Sequence, residues 1–273
     1  MGGELMKFGL IALALFVLPM AWGKDLKDVE FARPGGVSLT LDAWLPDDGR
    51  TRGVVILVHG GGWEAGDKRT YIGPWFTTLT EAGIPWFTIN YRLAPTDPHP
   101  AAVEDIEAAV QWLRSHAKEY HVDPSKIVLM GESAGGHLVG LAALRGKVKV
   151  AGLVSFYGIH DLALWKQQRG EWPRNIGLYL PGADAAVMRE ASPITYVKRG
   201  QSPVLLVHGK ADRGVPWQQS EVFCDAVKKV GAKCEMQLIE GAPHGVENWE
   251  KEARFMVWKV PTVAWLKLVL GHH

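Results

Sequence analysis

The sequence predicts an α/β fold, with a mainly parallel central sheet flanked by helices. Continuous β-branched runs such as Gly53–Val58 and Val150–Phe156 have the composition of strands buried on both faces. Helical segments such as the amphipathic Ala101–Ala117 separate such runs, and strand–helix alternation implies crossover connections and parallel pairing. A third run, Ile127–Met130, ends in Gly131-Glu132-Ser133-Ala134-Gly135, and a helical stretch Ala134–Leu144 follows at once. With 273 residues and 47% apolar content the chain can bury one sizeable core, so a single catalytic-sized domain is expected.

Taken in order, residues 1–23 read as an export signal. Lys7 precedes the apolar stretch Phe8–Val17, then come Pro19 and the small-residue pattern Ala21-Trp22-Gly23. That stretch is shorter than the roughly 20 residues needed to span a bilayer, although a membrane anchor is the rival reading. The mature domain is therefore expected to be 24–273, secreted or periplasmic, with no membrane attachment after signal removal. Val37–Leu45 alternates apolar and polar residues like an edge strand. Strands follow at Gly53–Val58, Pro85–Ile89, Ile127–Met130, Val150–Phe156, Val204–Val207 and Glu235–Ile239, with helices at Ala101–Ala117, Ala134–Leu144 and Gln218–Val230. A last helix is expected from Trp249 to about Leu270. The segment at about 158–202, rich in Trp and Pro, breaks the alternation and is expected to cap the crevice at the strand C-terminal ends.

Thirty basic residues against twenty-nine acidic ones leave a charge of +1 with no basic block, so nucleic acid and acidic membranes have no electrostatic footprint. Twelve tryptophans supply core and, at some positions, an aromatic cleft lining; Trp63, Trp165, Trp172 and Trp217 are the candidates for the second role. Cys224 and Cys234 can form a disulfide only if the helix and strand that carry them run back alongside each other.

The chemistry gathers at strand ends. G-x-S-x-G after a strand places Ser133 in a strained turn that thrusts its hydroxyl above the sheet. A serine needs a base, and His244, on the loop Gly241-Ala242-Pro243-His244-Gly245, can swing over it. The base needs an acid to fix its tautomer: Asp212 follows one buried strand and its rival Asp161 follows another. His137 and His208 are assigned to packing and turn-shaping. The loop His59-Gly60-Gly61-Gly62-Trp63 can turn backbone N–H groups inward toward a developing oxyanion, with Ala134 N–H completing the set. A phosphate-binding role does not fit, because Gly66 is followed by Asp67 and not by Lys-Ser/Thr.

Together with Asn90-Tyr91-Arg92-Leu93-Ala94-Pro95, His99-Pro100-Ala101-Ala102 and Asp105, these motifs resemble the α/β-hydrolase superfamily, in its HGGG-type, hormone-sensitive-lipase-like esterase branch. Within that branch the chain is similar to exported bacterial esterases grouped as feruloyl and acetylxylan esterases. The resemblance implies an α/β-hydrolase fold with a short cap insertion, and Ser133 as nucleophile, His244 as base and Asp212 as its orienter. It also implies Gly61, Gly62 and Ala134 as oxyanion donors, a small-molecule or polysaccharide-linked ester as substrate, and no metal or organic cofactor. Two other enzyme classes share parts of the pattern: prolyl-oligopeptidase-type peptidases over Leu205–Gly245, and arylformamidases in the glycine loop. Plant hormone receptors reuse the fold as a binding module after losing the histidine, whereas all three positions are filled here.

Overall fold

A computed structural model describes residues 23–170 and 173–272. The expected signal therefore lies outside the described residues, except that Gly23 already pairs with Pro46 in the first strand. In chain order the elements are β1 (Gly23–Ala32), β2 (Leu39–Pro46), β3 (Arg52–Val58), α1 (Gly73–Glu81), β4 (Trp86–Ile89) and α2 (Ala101–Ser115). There follow β5 (Val122–Glu132), α3 (Ala134–Leu144), β6 (Gly152–Phe156), α4 (Leu162–Arg169), α5 (Arg174–Tyr179) and α6 (Ala185–Glu190). The chain closes with β7 (Val204–Gly209), α7 (Gln218–Lys229), β8 (Cys234–Ile239), α8 (Val246–Trp249) and α9 (Lys259–Leu270).

Among the described residues the strands form one sheet in the order β1-β2-β4-β3-β5-β6-β7-β8. Pairings β1–β2 and β2–β4 are antiparallel and all the others parallel. The chain builds outward in one direction from β3 and in the other from β5. Their shared boundary is the switch point where a parallel sheet opens its crevice.

Strict alternation along the central strands feeds two cores. Val54, Ile56 and Val58 pack with α2 and α3, whereas Val55 and Leu57 pack with α1 and α9. The second core absorbs much of the tryptophan content: Trp44, Trp75, Trp86, Trp249, Trp258 and Trp265. Most of the aromatic surplus is thus structural. Among the described residues, no helix is long and apolar enough to cross a membrane.

Two expectations about the scaffold need correction. β2 is not an edge strand, because β1 pairs along it; Val37 lies outside the strand and is 44% exposed. The segment from Trp249 to Leu270 is not one helix but α8, a 3₁₀ turn at Ala253–Trp258, and α9. Pro261 accounts for the last boundary: it lacks an N–H and fits the first turn of α9, but not the interior of a longer helix. Among its described residues, the insertion at about 158–202 folds as three short helices and a 3₁₀ turn. Cys224 on α7 and Cys234 on β8 do run back alongside each other, with Cα atoms 5.5 Å apart, and form a disulfide.

Candidate active site

The serine turn is set by sterics. Ser133 has φ 52° and ψ −120°, a left-handed conformation between the end of β5 and the start of α3. Its N–H donates to Phe156 O at 2.9 Å, which fixes the turn against β6. Gly135 must lack a side chain, because a Cβ there would collide with the Val58 and His59 carbonyls. α3 therefore packs directly on the backbone at the end of β3, and Ser133 faces a cavity of about 350 Å³.

Asp212 and His244 arrive from the ends of β7 and β8. The Asp212 side chain is fully buried; its Oδ1 accepts Gly214 N–H and Val215 N–H, each at 2.8 Å. Its Oδ2 lies 2.6 Å from His244 Nδ1, and His244 Nε2 lies 3.0 Å from Ser133 Oγ. A carboxylate only accepts, so Nδ1 carries the proton and Nε2 offers its lone pair to the serine hydroxyl. Asn248 Nδ2 donates to His244 O at 2.9 Å and Trp249 Nε1 to Pro243 O at 2.7 Å, which holds the loop in place.

Electrostatics favour the ion pair once a proton moves. Burial works against a charged His244, but the hydrogen bond and charge of Asp212 outweigh it and raise the imidazole above its ordinary value of 6.5. Burial likewise opposes a charged Asp212, yet the His208 imidazole 3.6 Å away and the hydrogen bond from His244 hold its carboxyl well below the usual range. His208 also braces the turn that carries Asp212, since its Nε2 donates to Val215 O at 2.8 Å.

The glycine loop completes the cavity wall. Gly61, Gly62 and Trp63 have φ of 98°, 62° and 64°, three successive left-handed residues that curl the chain around the cavity. Gly61 and Gly62 line it together with Ser133 and Ala134. The loop is propped from below: Tyr91 stacks on His59 at 4.3 Å and its hydroxyl donates to His59 O and Gly60 O. Burial lowers His59 to about 4, so the ring is neutral, and its Nδ1 donates to Gly60 O at 2.8 Å. Arg92, next to Tyr91, forks onto the buried Asp105 of α2, with Nη2 2.7 Å from Oδ1. Beyond the loop, Lys68 and Arg69 reach Asp28 and Asp42 on β1 and β2.

Trp63 lines the cavity but is only 1% exposed, because it stacks on Tyr179 at 4.9 Å and meets Trp165 edge-on. Its Nε1 donates to His137 Nδ1 at 3.1 Å, and His137 Nε2 donates to Ala191 O at 2.7 Å. His137, which burial lowers to about 3, thus rivets the glycine loop to the cap and stays neutral. Trp165 lines the cavity and is 5% exposed. Trp217 is not among its lining residues: it caps the start of α7, and its indole lies beneath Lys210 Nζ. Trp172 lies outside the described residues. Asp161 is far from a triad role, since its carboxylate caps α4 by accepting Leu164 N–H at 3.0 Å. Residues that the sequence reading missed are Glu132, Tyr157 and Glu247, all close to His244.

A serine turn at the switch point of this sheet, with a histidine and an aspartate brought to it from the last two strands, defines an α/β-hydrolase. The chain belongs to the BD-FAE family, which matches residues 41–227. It is 32% identical over 216 residues to the probable carboxylic ester hydrolase LipM of Mycobacterium tuberculosis, covering 70% of this chain and 49% of LipM. It is also 32% identical over 225 residues to the esterase LipQ of the same organism, covering 73% of this chain and 52% of LipQ. The chain thus spans about half the length of the curated relatives it matches. Among solved structures, a truncated carbohydrate esterase from gut microbiota superposes with a TM-score of 0.78 at 24% identity, covering 92% of this chain and 98% of that one. The thermophilic esterase Est2 of Thermogutta terrifontis superposes with a TM-score of 0.73 at 26% identity, covering 92% of each chain.

Proposed function

We propose that this protein is a serine esterase that hydrolyses carboxylic esters through an acyl-enzyme, with Ser133, His244 and Asp212 as its triad. The observation that carries the reading is the continuous chain from Asp212 through His244 to Ser133, with links of 2.6 and 3.0 Å. Ser133 Oγ attacks the ester carbonyl while its proton passes to His244 Nε2. The negative charge that develops on the carbonyl oxygen is held by backbone N–H groups of Gly61, Gly62 and Ala134. Collapse of the tetrahedral species breaks the ester C–O bond, and His244 returns the proton to the departing alcohol. Water then attacks the acyl-serine, gives a proton to His244, and releases the carboxylic acid with Ser133 restored.

Acetyl and feruloyl esters of plant cell-wall polysaccharides are the proposed substrates. A cavity of about 350 Å³, walled by Trp63 and Trp165, suits a short acyl or aromatic acyl group better than a long lipid chain. The neighbouring carbohydrate esterase points the same way. Export is part of the same proposal; it rests on the pattern in residues 1–23 and is supported by the Cys224–Cys234 disulfide, a bond of oxidising compartments.

A panel of p-nitrophenyl esters of rising chain length, methyl ferulate, acetylated xylan, N-formylkynurenine and a proline-containing peptide amide tests the reading. Hydrolysis of short esters and of at least one cell-wall ester, with the amides untouched, is expected. Peptide cleavage would install the peptidase reading in its place, and no turnover of any ester would leave a binding module. The pH dependence is also specified. Only neutral His244 can accept the serine proton, so kcat/KM falls as pH drops through its raised pKa. The acid limb of the profile is expected to be centred above pH 6.5.

A further inference from the structure

Glu132 occupies the variable position before the serine, yet it is only 3% exposed and sits under the glycine loop. Its Oε1 accepts Gly60 N–H at 2.7 Å, across 72 residues of sequence. The fit leaves no room for a side chain at Gly60, where a Cβ would strike the Glu132 carboxyl. On the carboxyl's other side stands Tyr157, fully buried at the end of β6 and held at φ 39°. The Tyr157 hydroxyl oxygen accepts Val246 N–H at 2.6 Å, and burial together with the neighbouring Glu132 charge holds its phenol well above the usual range. Val246 is two residues beyond His244, whose ring lies 4.7 Å from that of Tyr157. One carboxyl therefore ties the serine turn to the glycine loop, next to the tyrosine that holds the histidine loop.

The groups around Glu132 pull in opposite directions. Burial is the largest influence and pushes it up to about 7; Glu247 adds to this, whereas His244, Gly60 N–H and Tyr157 favour the anion. Tyr91 faces it from the strand end below the loop, with its hydroxyl committed to His59 O and Gly60 O. Glu247 lines the same cavity, and its Oε2 is buried with no hydrogen-bond partner among the described residues. The anionic form of Glu132 accepts from Gly60 N–H and sets a negative charge beside His244 and Tyr157. Protonation converts one acceptor oxygen into a donor and removes that charge.

We propose that Glu132 is a positioning residue: its carboxylate ties the glycine loop to the serine turn beside Tyr157, which holds the His244 loop, so that turnover requires Glu132 to be ionised. The inference rests on the esterase reading above. It makes the acid limb of the rate profile the product of two ionisations, those of His244 and Glu132.

The test is kcat/KM and kcat against pH for the wild type, Glu132→Gln and Glu132→Ala, with p-nitrophenyl acetate as the probe. The wild type is expected to show an acid limb steeper than one proton. Glu132→Gln keeps an acceptor for Gly60 but not the charge. Its limb is expected to fall to a single-proton slope and to move down by about half to one pH unit, with KM nearly unchanged. Glu132→Ala and Glu132→Gln are each expected to lose about 10²-fold in kcat, as when an oxyanion donor is lost, because the Gln amide presents the same acceptor and donor as the protonated acid. If Glu132→Ala fails to fold by circular dichroism, the Glu132→Gln profile decides alone. A Glu132→Gln profile that superimposes on the wild type overturns this inference and leaves the esterase reading standing. A wild type inactive toward every ester overturns both.

Discussion

Replacing Ser133 with alanine is expected to lower kcat by about 10⁴-fold or more while leaving the fold intact. The hydroxyl is the group that becomes acylated, and nothing else described in the cavity can replace it. Among the cavity's lining residues, no other serine, threonine or cysteine stands beside His244. Structural damage should be small. Ser133 holds its turn through backbone hydrogen bonds to Phe156 and His137, and alanine keeps both. Steady-state kinetics with p-nitrophenyl acetate beside circular dichroism would check this. A folded Ser133→Ala protein within ten-fold of wild type would remove the serine from the mechanism.

The second large effect falls on the acid. Asp212→Asn is expected to cost about 10⁴-fold in kcat with little loss of stability. The fold survives because the asparagine oxygen can still accept Gly214 N–H and Val215 N–H, as Oδ1 does now. The amide nitrogen then faces His244 Nδ1 where Oδ2 was, and it can only donate. The imidazole turns to the other tautomer, with its proton on Nε2, and cannot take the proton of Ser133. Asp161→Ala is the contrast. It removes one helix cap at a cost of about 1 kcal/mol and should leave turnover nearly unchanged. Measuring kcat for both variants settles the acid; a crippled Asp161→Ala beside an active Asp212→Asn would reverse the assignment.

The chain's own letters disclosed the site more fully than the scaffold around it. Strands β3, β6 and β7, and β5 from Ile127 onward, are near-continuous apolar runs buried on both faces, so composition alone marks them; the exposed first half of β5, with Asp123, Pro124 and Ser125, carried no such mark. The glycines around Ser133 and the His59–Trp63 loop are legible because close backbone approach leaves few residue choices. β1 carried no such mark. Lys24, Asp25, Lys27, Asp28 and Glu30 give it a polar, largely exposed surface, and among the described residues β2 is its one strand partner. Helix α1 was hidden by Thr77, Thr78 and Thr80, poor helix formers that tertiary packing of Trp75 and Leu79 overrides. Trp217 was misplaced because sequence gives the turn after Val215 but not the direction in which the chain leaves it. Glu132 escaped notice for a related reason. Its motif position accepts many residues, and only the folded chain shows that it sits against Gly60.

Covalent trapping tests the central claim most directly. Incubating the protein with a fluorophosphonate, then digesting it for peptide mass spectrometry, should find one phosphonyl group per chain. The adduct should lie on the peptide containing Ser133, with loss of esterase activity in step and no labelling after Ser133→Ala. Complete inactivation with the adduct on another residue, or undiminished ester hydrolysis by a fully labelled Ser133, would contradict the account.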